Sequence, residues 1–164
     1  MKYRCISIIK MSTVVLSSIF KPEYLTRDYK SNLLKLYKEQ YECTGIDIGY
    51  IVKILKIIDI ISTNLDNNSQ IVVESLCSCQ IFKPEIGMKV TCTINMIHVN
   101  GIFVNKYDIK ILVPSSNNDY EYNNDSFKFN NKKYKVGDNL DIEIINIRYD
   151  KSVYSCIGKL ILKD

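Results

Sequence analysis

The chain has 164 residues, a net charge of +4 and 46% hydrophobic residues. This length is enough for one ordinary domain or two small ones with a buried core. The composition excludes a disordered or fibrous chain. A mildly basic balance permits nucleic-acid binding but does not by itself argue for it.

The N-terminal region faintly resembles a signal peptide, because Lys2 and Arg4 precede an apolar stretch. Lys10 interrupts that stretch, which is too short and too polar to cross a membrane. A second apolar run, IVKILKIIDII at 51–61, is also too short for a transmembrane helix. We therefore expect a β-strand near the N-terminus, no membrane segment and an intracellular protein.

The first half of the chain changes its hydrophobic period twice. β-Branched residues favour strands, whereas Tyr29, Leu33, Leu36 and Tyr37 recur at helical spacing. The pattern predicts an amphipathic helix that begins at the N-cap Thr26 and stops before Gly45. The expected order is strand, helix, strand, strand, over 12–20, 26–42, from 48 onward, and 71–82.

A proline and a glycine in KPEIG, at 83–87, mark a boundary between two expected domains, 1–82 and 83–164. After this boundary the alternating pattern predicts a series of short strands, and Asn100–Gly101 indicates a hairpin between two of them. An Asn-, Asp- and Tyr-rich loop is expected over 117–131. Five strands with this loop placement predict a small Greek-key barrel; they are 88–99, 102–107, 109–116, 133–150 and 152–162.

The six cysteines do not have the spacing of a metal site or a disulfide framework. Cys77 and Cys79 form C-x-C, and the single histidine, His98, cannot complete an ordinary zinc set with them. Cysteines on strands usually act as small buried hydrophobes, which favours a reducing compartment. The carboxylates are scattered, and no nucleophile has a histidine at a recognisable spacing. We expect no metal, no cofactor and no catalytic residues.

Two glycines, Gly45 and Gly49, stand at the start of the long apolar run. A phosphate-binding loop is excluded, because no G-K-[ST] follows and the loop precedes a strand. A plain turn and a protruding loop that docks on another protein both remain open. Exposed isoleucines in such a loop are a liability unless a partner covers them.

Several short motifs, taken together, resemble a known family. M-K-V-x-x-x-I, G-I-F-V, I-L-V-P and V-G-D-x-L-x-x-x-I follow one another from 88 to 144, as in OB-folds of the ribosomal S-one RNA-binding type. Three further motifs come earlier in the chain, and the last of them overlaps M-K-V: FKPEYL at 20–25, CTGIDIGYIVKIL at 43–55 and IFKPEIGMKV at 81–90. Over about 12–162, this order resembles the stalk subunit of RNA polymerases, namely the seventh subunit of eukaryotic RNA polymerase II and the archaeal E subunit.

The resemblance implies an α+β N-terminal tip domain followed by an all-β OB-fold barrel of the S-one type. The tip of such a subunit docks on the polymerase core near the clamp, and the barrel contacts nascent single-stranded RNA near the exit channel. The implied partners are the large core subunits and a fourth-subunit-like stalk partner. The docking loop then comprises Gly45, Ile46, Asp47, Ile48, Gly49 and Tyr50.

The RNA contacts implied for the barrel are an aromatic and basic set. Alternation along the strand is expected to put Phe103, Asn105 and Tyr107 on one face, where aromatic rings can stack on unpaired bases. The alternative is a partly packed face on a barrel that has lost RNA affinity. The basic cluster NKKYK, at 131–135, is interpreted as a solvated loop. The full set of expected RNA contacts is Phe103, Lys106, Tyr107, Lys110 and Arg148.

The chain departs from the family pattern, since three residues instead of two separate the loop glycines and no acidic tail follows the barrel. The compact form and the Asn- and Ile-rich composition indicate a large DNA virus with its own polymerase. The compartment is then cytoplasm or virion, and for a cellular protein it is the nucleus. The alternatives are a freestanding OB-fold RNA-binding protein in translation or RNA decay, and an interaction module without RNA contact.

Overall fold

The computed structural model describes residues 9–24, 26–117, 120–123, 126–129 and 131–161. These residues are mostly in strands, with one α-helix among them. They divide into two compact units, 9–83 and the residues from 84 onward. None of the helices in these ranges is both long and apolar enough to cross a membrane.

The unit 9–83 is a four-stranded antiparallel sheet with one helix. The elements are β1 (Ile9–Phe20), α1 (Tyr29–Tyr41), β2 (Thr44–Ile46), β3 (Gly49–Leu65) and β4 (Ile71–Phe82). A short 3-10 turn at Pro22–Tyr24 follows the first strand. The strand order is β1-β4-β3-β2, and every neighbouring pair is antiparallel.

The helix α1 covers one face of this sheet, as its apolar stripe predicts. Leu33 and Tyr37 are fully buried against strand residues such as Ile54 and Cys77. The Tyr37 hydroxyl donates to the Val73 carbonyl oxygen at 2.9 Å, which satisfies a polar group in the core. On β4, alternate residues are buried in the core shared with the helix: Val73, Ser75, Cys77, Cys79 and Ile81.

The helix is shorter than the sequence predicts, and its end is made differently. It begins after Asp28 instead of Thr26, because Thr26 belongs to a separate turn in which its carbonyl oxygen accepts from the Tyr29 N–H. It ends without Gly45, because Cys43 itself adopts a left-handed conformation with φ 62°. Gly45 pairs with Tyr50 in the β2–β3 hairpin.

The strand β3 contains a three-residue repeat instead of the usual period of two. The sequence IVK-ILK-IID-IIS, at 51–62, shifts register against β4 once in every triplet. Each shift leaves one extra residue on β3, which is how a β-bulge forms. The first isoleucine of each triplet pairs with a residue on the helix-facing side of β4, so the bulges keep Ile51, Ile54, Ile57 and Ile60 on one side.

The second unit contains the five-stranded barrel expected from the second half of the sequence. Its strands are β5 (Lys89–His98), β6 (Gly101–Lys106), β7 (Ile109–Pro114), β11 (Asn139–Asp150) and β12 (Val153–Leu160). The strand order is β11-β12-β7-β6-β5, closed between β11 and β5. β12 and β7 are parallel, and the other pairs are antiparallel. This arrangement is consistent with an OB-like barrel.

The barrel core consists of alternate residues from all five strands. It includes Val90, Ile102, Ile111 and Ile142, each fully excluded from solvent. Gly158 lies among them, because an added Cβ would approach Ile142 Cδ1 to 2.9 Å. The barrel therefore has a packed interior at these side chains.

The predicted loop over 117–131 is wrong for much of its length. A 3-10 turn at Ser115–Asn117 is followed by an insert of three short antiparallel strands. The insert strands are β8 (Glu121–Asn123), β9 (Ser126–Phe129) and β10 (Lys132–Lys135). Their order in the sheet is β10-β9-β8. The apolar residues Phe127 and Phe129 account for this sheet, since both are buried.

The predicted strand 133–150 is likewise interrupted at Gly137, which has φ +92°.

The cysteines on strands behave as small buried hydrophobes, in agreement with the prediction. Cys77, Cys79, Cys92 and Cys156 are buried and free, while Cys43 is free and exposed. Burial raises the pKa of the Cys77, Cys79 and Cys156 thiols to about 11. Such thiols are protonated near neutral pH and chemically inert. Cys5 lies outside the described residues.

Candidate nucleic-acid interface

The outer surface of the barrel carries a row of apolar side chains across four neighbouring strands. Met96 on β5 is in register with Phe103 on β6, which faces Leu112 on β7, and Leu112 faces Ile157 on β12. Buried neighbours flank each of these residues along its strand, with the exposed bulge residue Asn95 as the exception, so the row points outward. Met96 is 48% exposed, and the other three are half-buried. This apolar row is an accessible surface of the kind on which bases stack.

A second outward row, which is polar and basic, runs directly beside the first. Its members are in register from β5 through β6, β7 and β12 to β11. Lys110 is exposed in its centre, and Arg148 is two strands away, about 10 Å along the row. This polar row consists of Thr93, Asn105, Lys110, Ser155 and Arg148.

The two cations of the polar row have different surroundings. Arg148 makes an ion pair of 3.4 Å with Asp150, and its side chain is 80% exposed. Exposed pairs of this kind contribute little, so the guanidinium can exchange the carboxylate for a phosphate at small cost. Lys110 lies between Asn105 and Ser155, two neutral polar residues. The row can therefore hold negative charge beside an apolar platform.

Two of the five expected RNA contacts lie elsewhere. β6 ends at Lys106, and Tyr107 belongs to the following turn with φ 54°. The predicted shared face of Phe103, Asn105 and Tyr107 is therefore wrong for Tyr107, since alternation stops where the strand stops. Lys106 is half-buried at the end of β6, with its Nζ 5.4 Å from the centre of the Tyr107 ring. Phe103, Lys110 and Arg148 lie on the two outward rows.

The expected docking loop is a tight hairpin turn instead of a protruding loop. Ile46 on β2 pairs with Gly49 on β3, so the reversal consists of Asp47 and Ile48 alone. Both are exposed, and Ile48 is 46% exposed. The expectation that Tyr50 is a surface contact is wrong, since only 4% of this residue is exposed. It lies within the sheet, in register with Gly45 and Phe82. Gly45 and Gly49 are also buried, and Ile46 is half-buried.

Gly49 is the glycine that this turn requires. Its φ of +146° is unfavourable for residues with a side chain. A Cβ there would lie 2.5 Å from Ile81 Cγ2 and 3.1 Å from the Phe82 carbonyl oxygen. Gly45 has no such φ, so the reversal depends on one glycine of the pair.

Some of these residues could have been found from the sequence by extending the alternation to every strand. In IKILVP the buried Ile109, Ile111 and Val113 alternate with outward Lys110 and Leu112. Ile157 similarly stands between Cys156 and Gly158, which are buried. Pairing register decides which outward residues become neighbours, and the sequence alone does not give it, since each bulge shifts it.

Metal chemistry has no cluster of ligands behind it in the described ranges. No group of three or more histidine, cysteine, aspartate or glutamate residues is placed there to hold a metal ion. His98 ends β5, and its Nδ1 accepts a hydrogen bond of 3.3 Å from the Asn100 N–H. This geometry gives the histidine a local structural role at the hairpin.

Comparisons with known proteins do not assign a family. A scan against protein-family models gives no match, and a search of the curated proteins gives no significant match.

Proposed function

We propose that this chain is a non-catalytic subunit of a DNA-directed RNA polymerase. In this proposal the unit 9–83 is the α+β tip domain and the barrel is an OB-fold of the S-one type. The tip docks on the large core subunits near the clamp, and the barrel contacts nascent single-stranded RNA near the exit channel. The support for the polymerase assignment is the sequence resemblance, which joins motifs of both units in one order.

The observation that carries the RNA-binding part is the pair of outward rows on the barrel. Phe103 lies in the middle of the apolar row, and Lys110 lies on the next strand in the polar row. Stacking on an aromatic side chain with phosphate contacts beside it binds single strands without requiring a particular sequence. The same face of OB-folds, formed by their second and third strands, commonly binds oligonucleotides.

The docking part is supported by the exposed Asp47–Ile48 turn. A tight two-residue turn between paired strands holds its side chains in place, and an exposed isoleucine in such a turn favours burial by a partner. A fourth-subunit-like stalk partner belongs to the same proposal. The proposed compartment is the cytoplasm or virion of a large DNA virus, or the nucleus of a cell.

Affinity purification of the tagged chain from its native cell or virion tests this function against the freestanding alternative. The large polymerase subunits should copurify with the wild-type chain and be lost with Ile48→Glu. The control is Ile61→Glu, which changes an equally exposed residue on β3, remote from the turn. Recovery of RNA or ribosomes without polymerase subunits would favour a freestanding RNA-binding protein.

A further inference from the structure

The sheet of the unit 9–83 has two edges, and only one of them is protected against pairing with another strand. β3 forms most of one edge, and its repeated bulges discourage pairing with other chains. β1 lies at the other edge, where its outer side has no partner among the described strands. Its register against β4 runs from Ile9 to Phe20 without a bulge. The outer edge of β1 is therefore a regular row of backbone donors and acceptors.

The sequence of β1 lacks the residues that usually protect an edge strand. It contains no proline, and its single charged residue, Lys10, stands next to its N-terminal end. On the face away from α1, the residues Met11, Val15 and Ile19 are 59%, 54% and 50% exposed. A long, regular and apolar edge of this kind favours the addition of another strand.

The three exposed apolar residues are spaced symmetrically about Val15. In an antiparallel pair of two β1 strands centred on Val15, Met11 of each copy would stand opposite Ile19 of the other. The two Val15 side chains would face each other, and Thr13 would face Ser17, so that hydroxyl meets hydroxyl. No other register of β1 with itself opposes all three apolar residues to apolar ones. Contacts between identical chains across a two-fold axis require this self-complementarity.

We propose that two copies of this chain pair through the outer edges of β1, as an antiparallel, two-fold symmetric dimer centred on Val15. Residues 10–20 of both copies then join the two four-stranded sheets into one continuous sheet. About ten backbone hydrogen bonds form between the chains, since opposed residues alternately share two bonds and none. Lys10 falls opposite Phe20, so no like charges face each other. A second copy is favoured over an unrelated chain because the side-chain match is a property of β1 with itself.

Disulfide crosslinking of the full chain tests the pairing and its register. In a background of Cys5→Ser and Cys43→Ser, Val15→Cys is oxidised with copper phenanthroline and analysed on a non-reducing gel. Opposed residues in an antiparallel pair have Cα atoms about 4.5–5.5 Å apart, within reach of a disulfide. Most of the chain should therefore become a covalent dimer. Thr13→Cys is the control, because its two copies would lie about 13 Å apart along the strands in the proposed register.

Sedimentation velocity measures the same dimer without a covalent bond. Val15→Lys puts two positive charges opposite each other on the two-fold axis, and it should weaken the dimer at least about tenfold. The matched control is Ile58→Lys on β3, whose residue is 48% exposed, and it should dimerise like the wild type. Both variants should keep the wild-type circular-dichroism spectrum, because both replaced residues are exposed.

The outcomes separate this dimer from other arrangements. A crosslink at position 15 but not at position 13, with a dimer that only Val15→Lys dissociates, is the expected result. A wild type that stays monomeric at the highest concentration it reaches would overturn the proposal, as would equal crosslinking at both positions. A dimer that Val15→Lys leaves intact would place the contact on another surface. A monomer whose Val15→Cys forms a mixed disulfide with a different protein in the native complex would make that protein the occupant instead of a second copy.

Discussion

At the residue scale, the reversal between β2 and β3 exposes Asp47 and Ile48, whereas Tyr50 is buried by the strands on either side of it. The reason is physical: a tyrosine after a glycine suits either a surface contact or a strand interior. Only the pairing of β2 with β3 decides between them.

Gly49→Ala should strongly destabilise the unit 9–83. The substitution places a Cβ against Ile81 and the Phe82 carbonyl oxygen at an unfavourable φ. Strain of this kind costs about 1–3 kcal/mol, and overpacking costs about as much again. Urea denaturation measures the loss. Gly137→Ala is the control, because its φ is also positive but no atom lies within 4 Å of the added Cβ. Equal losses in the two variants would show that the close contact at Gly49 has no effect.

Phe103→Leu should weaken binding of single-stranded RNA without unfolding the barrel. Phe103 is half-buried in the apolar row, and leucine keeps much of its packing while removing the ring. Loss of one stacked base corresponds to about 1–3 kcal/mol of binding free energy. Anisotropy titrations measure this, with Phe103→Tyr expected to restore affinity. A leucine variant that binds as tightly as wild type would exclude base stacking at this position.

At the element scale, the strand β3 departs furthest from the sequence prediction. The sequence predicts an ordinary strand for this triplet repeat, because a period of two does not allow for a bulge in every triplet. Beyond Ile51, no described strand pairs with its outer edge, and the exposed fractions of Leu55, Ile58 and Ile61 are 37%, 48% and 52%. Bulges discourage edge-to-edge pairing with other chains, which protects this apolar edge.

One backbone N–H on the unpaired edge of β3 is satisfied by an acidic side chain. Glu42, the residue after α1, accepts a hydrogen bond of 2.7 Å from the Ile54 N–H through Oε1. Glu42→Ala should lower the free energy of unfolding by about 1–3 kcal/mol, since a backbone donor loses a charged acceptor. Amide hydrogen exchange at Ile54 should accelerate. Glu39→Ala, at an exposed helix position, is the control and should change neither quantity.

A Glu42→Gln variant adds a graded test of the same bond. Its amide oxygen can still accept from Ile54, so exchange at Ile54 should lie between that of the wild type and that of the alanine variant. Unchanged exchange at Ile54 in Glu42→Ala would contradict a role for this side chain at the edge.

At the scale of the whole molecule, the five-stranded barrel could be predicted, because its strands alternate cleanly and Asn100–Gly101 marks a hairpin. The insert could not be predicted, because its two buried residues, Phe127 and Phe129, are surrounded by Asn, Asp and Tyr, a composition typical of loops. Strand order and register depend on long-range pairing, which no local pattern specifies.

The buried thiols predict a pH dependence of stability. Burial raises the pKa of the Cys77, Cys79 and Cys156 thiols from 9.0 to about 11. Because the folded state holds these protons more tightly, the stability they contribute is complete below pH 9 and is lost as the pH rises through about 11.

Iodoacetamide at pH 8.5, read by mass spectrometry, should label Cys43 in the native protein and the three buried thiols only after unfolding. Native labelling of Cys77 or Cys156 would contradict their burial.

The most direct test of the polymerase proposal is site-specific photocrosslinking from the hairpin turn in cells or virions. A photoreactive amino acid replaces Asp47, and a control replaces the exposed Asn67 in the turn between β3 and β4. Position 47 should crosslink to a large polymerase subunit, and position 67 should not crosslink to the same site. Crosslinks from position 47 to ribosomal or other non-polymerase proteins alone would contradict the stalk assignment.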